Sequence, residues 1–172
     1  MINPPMKTSA NGRKLIELYE GLYLHTYNDG VGVPTIGYGH TTSAGPPAVH
    51  YGMVITVEQA DQFLAADLHS VENSVNHYVT APINQNEFDA FVSFDFNTGA
   101  LDRSGLLQLV NKGVTDPTSI TNAFCAWRYA HVHGALVPIL LGRRQRESHI
   151  YLHGYPVTRA IAAEPVEPGA TS

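Results

Sequence analysis

Between Asn11 and Glu20 the apolar residues Leu15, Leu18 and Tyr19, followed by Leu22, recur at helical spacing, and Gly21 supplies a stop signal. A first helix ending at Glu20 is predicted. From Tyr23 to Thr42 the texture changes to Tyr, Val, Thr and Ile punctuated by Asp29-Gly30, Gly32, Gly37 and Gly39, which is hairpin and turn chemistry. This predicts a small sheet. Thr56 with Gln59 three residues on reads as a capping box, and Ala60, Phe63, Leu64, Asp67, Leu68, Val71 and Val75 continue at helical spacing to about Tyr78. After Pro82, Asn84 and Glu87 form a second box, and Phe88, Phe91, Val92 and Phe96 share one face of a central helix that Gly99 ends. Ser104 caps a short helix through Leu109, Asp116-Pro117 opens another reaching Trp127, and a last helix is expected from Leu136 to Leu152, bounded by Gly154. Helix, small sheet and then several helices make an α+β domain with a β-rich lobe and a helical lobe.

Composition narrows this further. Of 172 residues, 44% are hydrophobic and 15% charged, a globular composition long enough for one domain and its core. The expected division is a flexible segment over 1–10, a single domain over 11–154 with its β lobe at about 21–55 and helical lobe at about 56–154, and a flexible tail over 155–172 rich in Pro, Ala, Glu and Gly. Met1 and Met6 both remain open as the start. The single cysteine, Cys125, cannot form an internal disulfide and is expected to be a buried, inert thiol. No run of apolar residues has the length of a signal peptide's core or of a membrane span, so neither a leader nor a membrane anchor is expected.

The net charge of −5 excludes a cationic footprint for nucleic acid or an anionic membrane. It is also unevenly placed. From Leu15 to Asp102 there are eleven Asp and Glu and no Lys or Arg, giving −11, and the remainder carries +6.

Inside the acidic stretch Glu20 is followed after eight residues by Asp29 and after five more by Thr35, which opens Thr35-Ile36-Gly37-Tyr38-Gly39-His40. Two carboxylates in different environments are what glycosidic cleavage needs, one protonated to serve the leaving oxygen and one ionised to handle water or the sugar cation. Taken alone, such a pair also reads as a surface Glu and a turn-forming Asp. The glycine-rich segment lacks the Lys and following helix of a phosphate loop. Nine histidines include His131-x-His133 and His149-x3-His153, but with no cysteine or convergent acidic ligand beside them no metal site and no cofactor is expected.

The spacing Glu20-x8-Asp29-x5-Thr35, within Glu20-Gly21-Leu22, Tyr27-Asn28-Asp29 and the Thr35–His40 segment, resembles the phage-type lysozymes of glycoside hydrolase family 24, especially soluble endolysins of lambdoid phages. Gln85-x2-Phe88-Asp89-Ala90-Phe91-Val92-Ser93-Phe94 leading to Phe96-Asn97-x-Gly99 is similar to the family's central helix. Trp127 followed by Gly142-Arg143-Arg144-x2-Glu147 is similar to its closing segment. The resemblance spans about Leu15 to Leu152. It departs at Val137-Pro138-Ile139-Leu140-Leu141, where relatives have a Pro-Gly-Leu lead and the entry to the last helix is expected to shift. It departs again at Asp95, which is expected either to face solvent or to add a carboxylate near the cleft.

The resemblance implies a lysozyme-like fold with the active-site cleft between the lobes, and hydrolysis of the β-1,4 bond between N-acetylmuramic acid and N-acetylglucosamine in peptidoglycan, ending a phage infection by host lysis. It implies Glu20 as general acid, Asp29 and Thr35 as the residues positioning the attacking water, and inversion at the anomeric carbon. Arg143 or Arg144 would orient Glu20. Phe96, Asn97, Ser104 and Gly105 would line sugar subsites, with packing for Phe96 and capping for Ser104 as the plain alternatives. His40 and Asp67 are expected to pair and fasten sheet to helix. The implied partners are the peptidoglycan of a Gram-negative host and a separate holin-type membrane pore releasing a monomer from the host cytoplasm to the periplasm, with no nucleic acid. A lytic transglycosylase, needing only the Glu, and a non-catalytic wall-binding or effector domain are the alternatives. Because peptidoglycan is itself anionic, sugar contacts rather than bulk charge must supply most of the binding.

Overall fold

The structure is a computed structural model describing residues 4–30, 32–132 and 135–156. Helix α1 spans Ala10–Glu20; Ser9 caps it by accepting from the Gly12 N–H, and Gly21, at φ 68°, turns the chain out of it directly after Glu20. Strands β1 (Tyr23–Asn28), β2 (Pro34–Gly37) and β3 (His40–Thr41) follow as an antiparallel sheet in that order, with Tyr27 opposite Thr35 and Ile36 opposite His40. Both expected capping boxes form. They start α2 (Val57–Tyr78) at Thr56 and Gln59, and α3 (Gln85–Thr98) at Asn84 and Glu87. Gly99, in the left-handed region, ends α3. Helices α4 (Gly105–Asn111), α5 (Pro117–Cys125) and α6 (Leu141–His153) complete the helical lobe.

The fold is α+β, as the pattern predicted. Helix α3 lies at its centre, buried at every position from Phe88 to Asp95, and Ile16, Leu64, Leu106, Ile120, Phe124 and Ile150 close around it. Ile36, Val49, Ile55 and Ala60 form a second, smaller core beneath the sheet. Since α2 contributes Ala60 to the small core and Leu64 and Leu68 to the large one, it ties the two lobes together.

Three expectations are corrected. Residues 136–140 are not helical: β4 (Ala130–Val132) and β5 (Ala135–Val137) form a hairpin, and α6 starts only at Leu141. A β-branched, proline-interrupted stretch reads equally as strand, and Pro138 pushes Val137 before it towards extended backbone. Asp95 neither faces solvent nor lines the cleft; it is buried and accepts from Ser74 Oγ at 2.7 Å and the Leu101 N–H at 3.0 Å, joining α3 to α2 and to the turn beyond. Cys125 is half-buried rather than enclosed, and burial still pushes its thiol up.

The chain ends are also more tightly held than a flexible 1–10 and 155–172 would be. The Met6 N–H donates to Asn76 Oδ1 at 2.8 Å, and Glu72 accepts from Lys7 Nζ and the Thr8 N–H, both at 2.8 Å. Buried Asp89 receives the Ser9 N–H, the Ser9 hydroxyl, Gln85 Nε2 and, from the other end of the chain, the Tyr155 hydroxyl at 3.1 Å. The remaining expected flexible residues, 1–3 and 157–172, lie outside the described residues.

Burial opposes ionisation of Glu72, but the hydrogen bonds from Lys7 and Thr8 outweigh it and hold the carboxyl below the ordinary value of 4.5. A depressed carboxylate contributes stability above its unfolded pKa and loses it as pH falls through the folded one. Glu72→Gln is therefore expected to lower stability by about 1–2 kcal/mol at neutral pH. It should also flatten the acid limb of the melting temperature plotted against pH, below about pH 4.5. A variant whose acid limb matches the parent's would contradict this.

Candidate active site

Glu20 occupies the last position of α1, and its Oε1 accepts from Arg143 Nη1 at 2.9 Å. Arg143, in the first turn of α6, has each of its three nitrogens engaged: Nε donates to Glu147 Oε1 at 3.1 Å and Nη2 to the Ser93 carbonyl at 3.0 Å. Its guanidinium also lies 4.4 Å from the centre of the Tyr19 ring. A fork fixed at every tine can hold a carboxyl in one orientation, which a lysine's single point charge would not do.

Behind Arg143, Glu147 is fully buried and also accepts from Ser93 Oγ at 2.7 Å and from Arg144 Nη1. Burial pushes its carboxyl up, while Arg144, Arg143 and the Ser93 hydroxyl work in the opposite direction. Arg144, fully buried, turns away from Glu20; it donates to Asn97 Oδ1 and sits 5.2 Å from the Phe94 ring centre. Of the two arginines left open by the sequence, Arg143 is thus the one touching Glu20. Burial is also the main reason the Tyr19 phenol rises to about 12, with Glu147 adding to the rise.

The second carboxylate enters from the β lobe. Asn28 Oδ1 accepts from the Gly30 and Gly32 N–H groups, both at 2.9 Å, and folds the chain after β1 into a tight turn. Asp29 Oδ1 accepts from the Val33 N–H at 3.0 Å, and the Val33 carbonyl accepts from Thr35 Oγ1 at 3.1 Å. Asp29 and Thr35 are therefore tied through one residue. Thr35 is nearly fully buried, and with its proton committed to Val33 the hydroxyl keeps its acceptor lone pairs. Tyr27, opposite Thr35 across the ladder, brings the two carboxylates into one neighbourhood: its phenol is raised first by burial, then by Tyr23, and then by both Glu20 and Asp29. Gly39, at φ +84°, lets the β2–β3 turn come close to the acid, since a Cβ there would lie 3.2 Å from Glu20 Oε2.

The family model described as phage lysozyme matches residues 17–147, a span that holds this whole arrangement. The chain belongs to the phage lysozyme family. It is 37% identical over 147 residues to the endolysin of Salmonella phage P22, covering 86% of this chain and 99% of that one. Among solved structures it resembles the endolysin from Escherichia coli O157:H7 phage FAHEc1 at 38% identity and a TM-score of 0.78, over 88% of this chain and 97% of that one. It also resembles the muramidase domain of SpmX from Asticaccaulis excentricus, at 36% identity and a TM-score of 0.72, over 85% and 97% of the two chains.

In this phage lysozyme the other expected site residues scatter. Phe96 is half-buried against the main core, and Asn97 is exposed with its side-chain oxygen taken by Arg144. Of the two readings of Ser104 the capping one holds: fully buried, it donates to the Leu101 carbonyl at 2.8 Å and accepts from the Leu107 N–H at 3.1 Å, so it caps α4 and has no surface to offer a sugar. Gly105 is exposed and borders a groove of about 510 Å³ between α4 and α5. His40 and Asp67 are buried together, His40 Nδ1 lying 2.9 Å from Asp67 Oδ2, and the other ring nitrogen reaches the Pro47 carbonyl at 3.1 Å. Burial raises the Asp67 carboxyl, and His40 partly offsets that rise.

Among the described residues no group of three His, Cys, Asp or Glu could hold a metal ion, and no helix is long and apolar enough to cross a membrane. The His149 and His153 rings lie 4.9 Å apart on the surface of α6, whereas His133 lies outside the described residues. Sequence reasoning missed the work of Glu147 and Ser93. The signal was present in the spacing, since Arg143 and Glu147 are four apart, and Arg144 and Glu147 three apart, on one helix.

Proposed function

We propose that Glu20 is the general acid of this enzyme and that Asp29, with Thr35, holds the water that attacks the anomeric carbon of N-acetylmuramic acid. The activity itself, peptidoglycan hydrolysis by a muramidase-type endolysin, follows from the family and from 37% identity to a phage endolysin over 86% of this chain and 99% of that one. The observation that carries the residue roles is the Glu20–Arg143 contact, backed by Ser93 and Glu147, beside an Asp29 tied to Thr35. Glu20 gives its proton to the leaving N-acetylglucosamine oxygen. Water adds from the opposite face, and the configuration inverts.

The catalytic residues belong to one domain over 11–154, and the His40–Asp67 pair fastens the sheet to α2. The wall it cuts is that of a Gram-negative host. A separate holin-type pore passes the monomer from host cytoplasm to periplasm.

Mass spectrometry of digested wall tests the reaction. Hydrolysis leaves N-acetylmuramic acid at a free reducing end, whereas a lytic transglycosylase leaves a 1,6-anhydro end lighter by one water. An anhydro product would overturn the hydrolytic assignment. Fresh product of β configuration, seen by proton NMR before mutarotation, would overturn inversion.

A further inference from the structure

Tyr23 opens β1 only three residues after Glu20 and is 48% exposed, a large aromatic surface left in water beside the acid. A Cβ on Gly21 would lie 3.4 Å from a Tyr23 ring carbon, so the ring folds back over the α1–β1 turn that positions Glu20. Its ring centre is 4.3 Å from that of Tyr27, and the planes are inclined at 37°. Tyr27 in turn lies within the electrostatic reach of both Glu20 and Asp29. Neither phenol has a hydrogen-bond partner among the described residues, and Tyr23 does not contribute to either core. Beyond its contact with Tyr27, Tyr23 has no packing role in the two cores that calls for an aromatic ring.

We propose that Tyr23, supported by Tyr27, forms a stacking platform for an N-acetylated pyranose ring of the glycan strand next to the scissile bond. The proposal rests on the muramidase reading above. The occupant follows from chemistry. One face of a β-linked pyranose presents axial C–H groups, which pack on an aromatic face, while the rim of hydroxyls stays in water. Charge cannot recruit the strand here, because the wall is anionic and residues 15–102 carry −11 with no Lys or Arg. An uncharged aromatic surface beside the two carboxylates supplies binding that does not depend on charge. Tyr27 is half-buried and braces the platform; Tyr23 presents it.

Steady-state kinetics on soluble, peptide-stripped glycan strands test this. Tyr23→Ala is expected to raise KM about tenfold with kcat changed less than about twofold, while Tyr23→Phe and Tyr23→Trp stay within about threefold of the parent KM. Thermal unfolding accompanies each variant, and Tyr23→Gln gives the same reading if Tyr23→Ala lowers the melting temperature. An unchanged KM would overturn the platform. So would a loss confined to kcat, a Tyr23→Phe variant as impaired as Tyr23→Ala, or a defect seen only on peptide-bearing wall. A parent enzyme that leaves the stripped strands uncut would instead overturn the assigned activity, which separates that failure from failure of the platform.

Discussion

Glu20→Gln is expected to lower kcat on purified peptidoglycan by about 10²–10⁴-fold, the range that removal of a general acid commands. The amide is the same size as the carboxyl and keeps an oxygen that accepts from Arg143 Nη1, so the Arg143 fork and its contacts to Glu147 and Ser93 can persist. What is lost is the proton that the leaving oxygen takes. Two opposing effects on stability accompany the change. The Glu20–Arg143 ion pair loses its charge attraction, but a negative charge at the C-terminal end of α1, where the helix dipole is itself negative, is removed. The melting temperature should therefore move by no more than about 3 °C. A folded Glu20→Gln enzyme that clears wall at the parental rate would remove Glu20 from the acid's role.

The fold was legible in the sequence wherever short-range chemistry decides the outcome. Both capping boxes, Gly99 after α3 and the Gly21 stop place helix ends through neighbours three or four residues away, and the periodicity of Phe88, Phe91 and Val92 marks the central helix whatever packs on it. Residues 136–140 were misread as helix for the complementary reason: two three-residue strands have little periodicity, and only their pairing distinguishes them from a helix lead-in. Asp95 failed differently. It looked polar and therefore available, yet it is spent on Ser74 and on the Leu101 N–H, partners that become visible only once α3 has turned past Gly99. In the site, Glu20, Asp29 and Thr35 stood in a recognisable spacing, but which arginine reaches Glu20 depends on the phase of α6 against α1 and α3. A shift of one residue, about 100° around the helix, exchanges Arg143 for Arg144.

Glu147→Gln should give the largest loss of stability of any single change at the site, about 3–5 kcal/mol. Glu147 is wholly buried between two guanidiniums, Arg143 and Arg144, of which the second is itself wholly buried. Its carboxylate is their shared counter-charge. The neutral amide keeps the shape but leaves Arg144 with no carboxylate and facing Arg143, whose remaining carboxylate is Glu20, and a buried cation without its partner costs far more than the intact pair contributes. At about 2–4 °C per kcal/mol for a domain of this size, the melting temperature should fall by roughly 10 °C. Activity should fall as well, because the amide has one acceptor oxygen for two guanidiniums: it turns its NH2 on either Arg144 Nη1 or Arg143 Nε, and Glu20 then follows a less firmly held guanidinium. Removing one of the stranded charges tests the cause: Arg144→Met added to Glu147→Gln should recover part of the lost melting temperature, since a single cation remains, and Arg143 still has the Ser93 carbonyl. If the double variant is less stable than Glu147→Gln by the full cost of Arg144→Met alone, the two residues are not coupled through charge and the electrostatic account of this network is wrong.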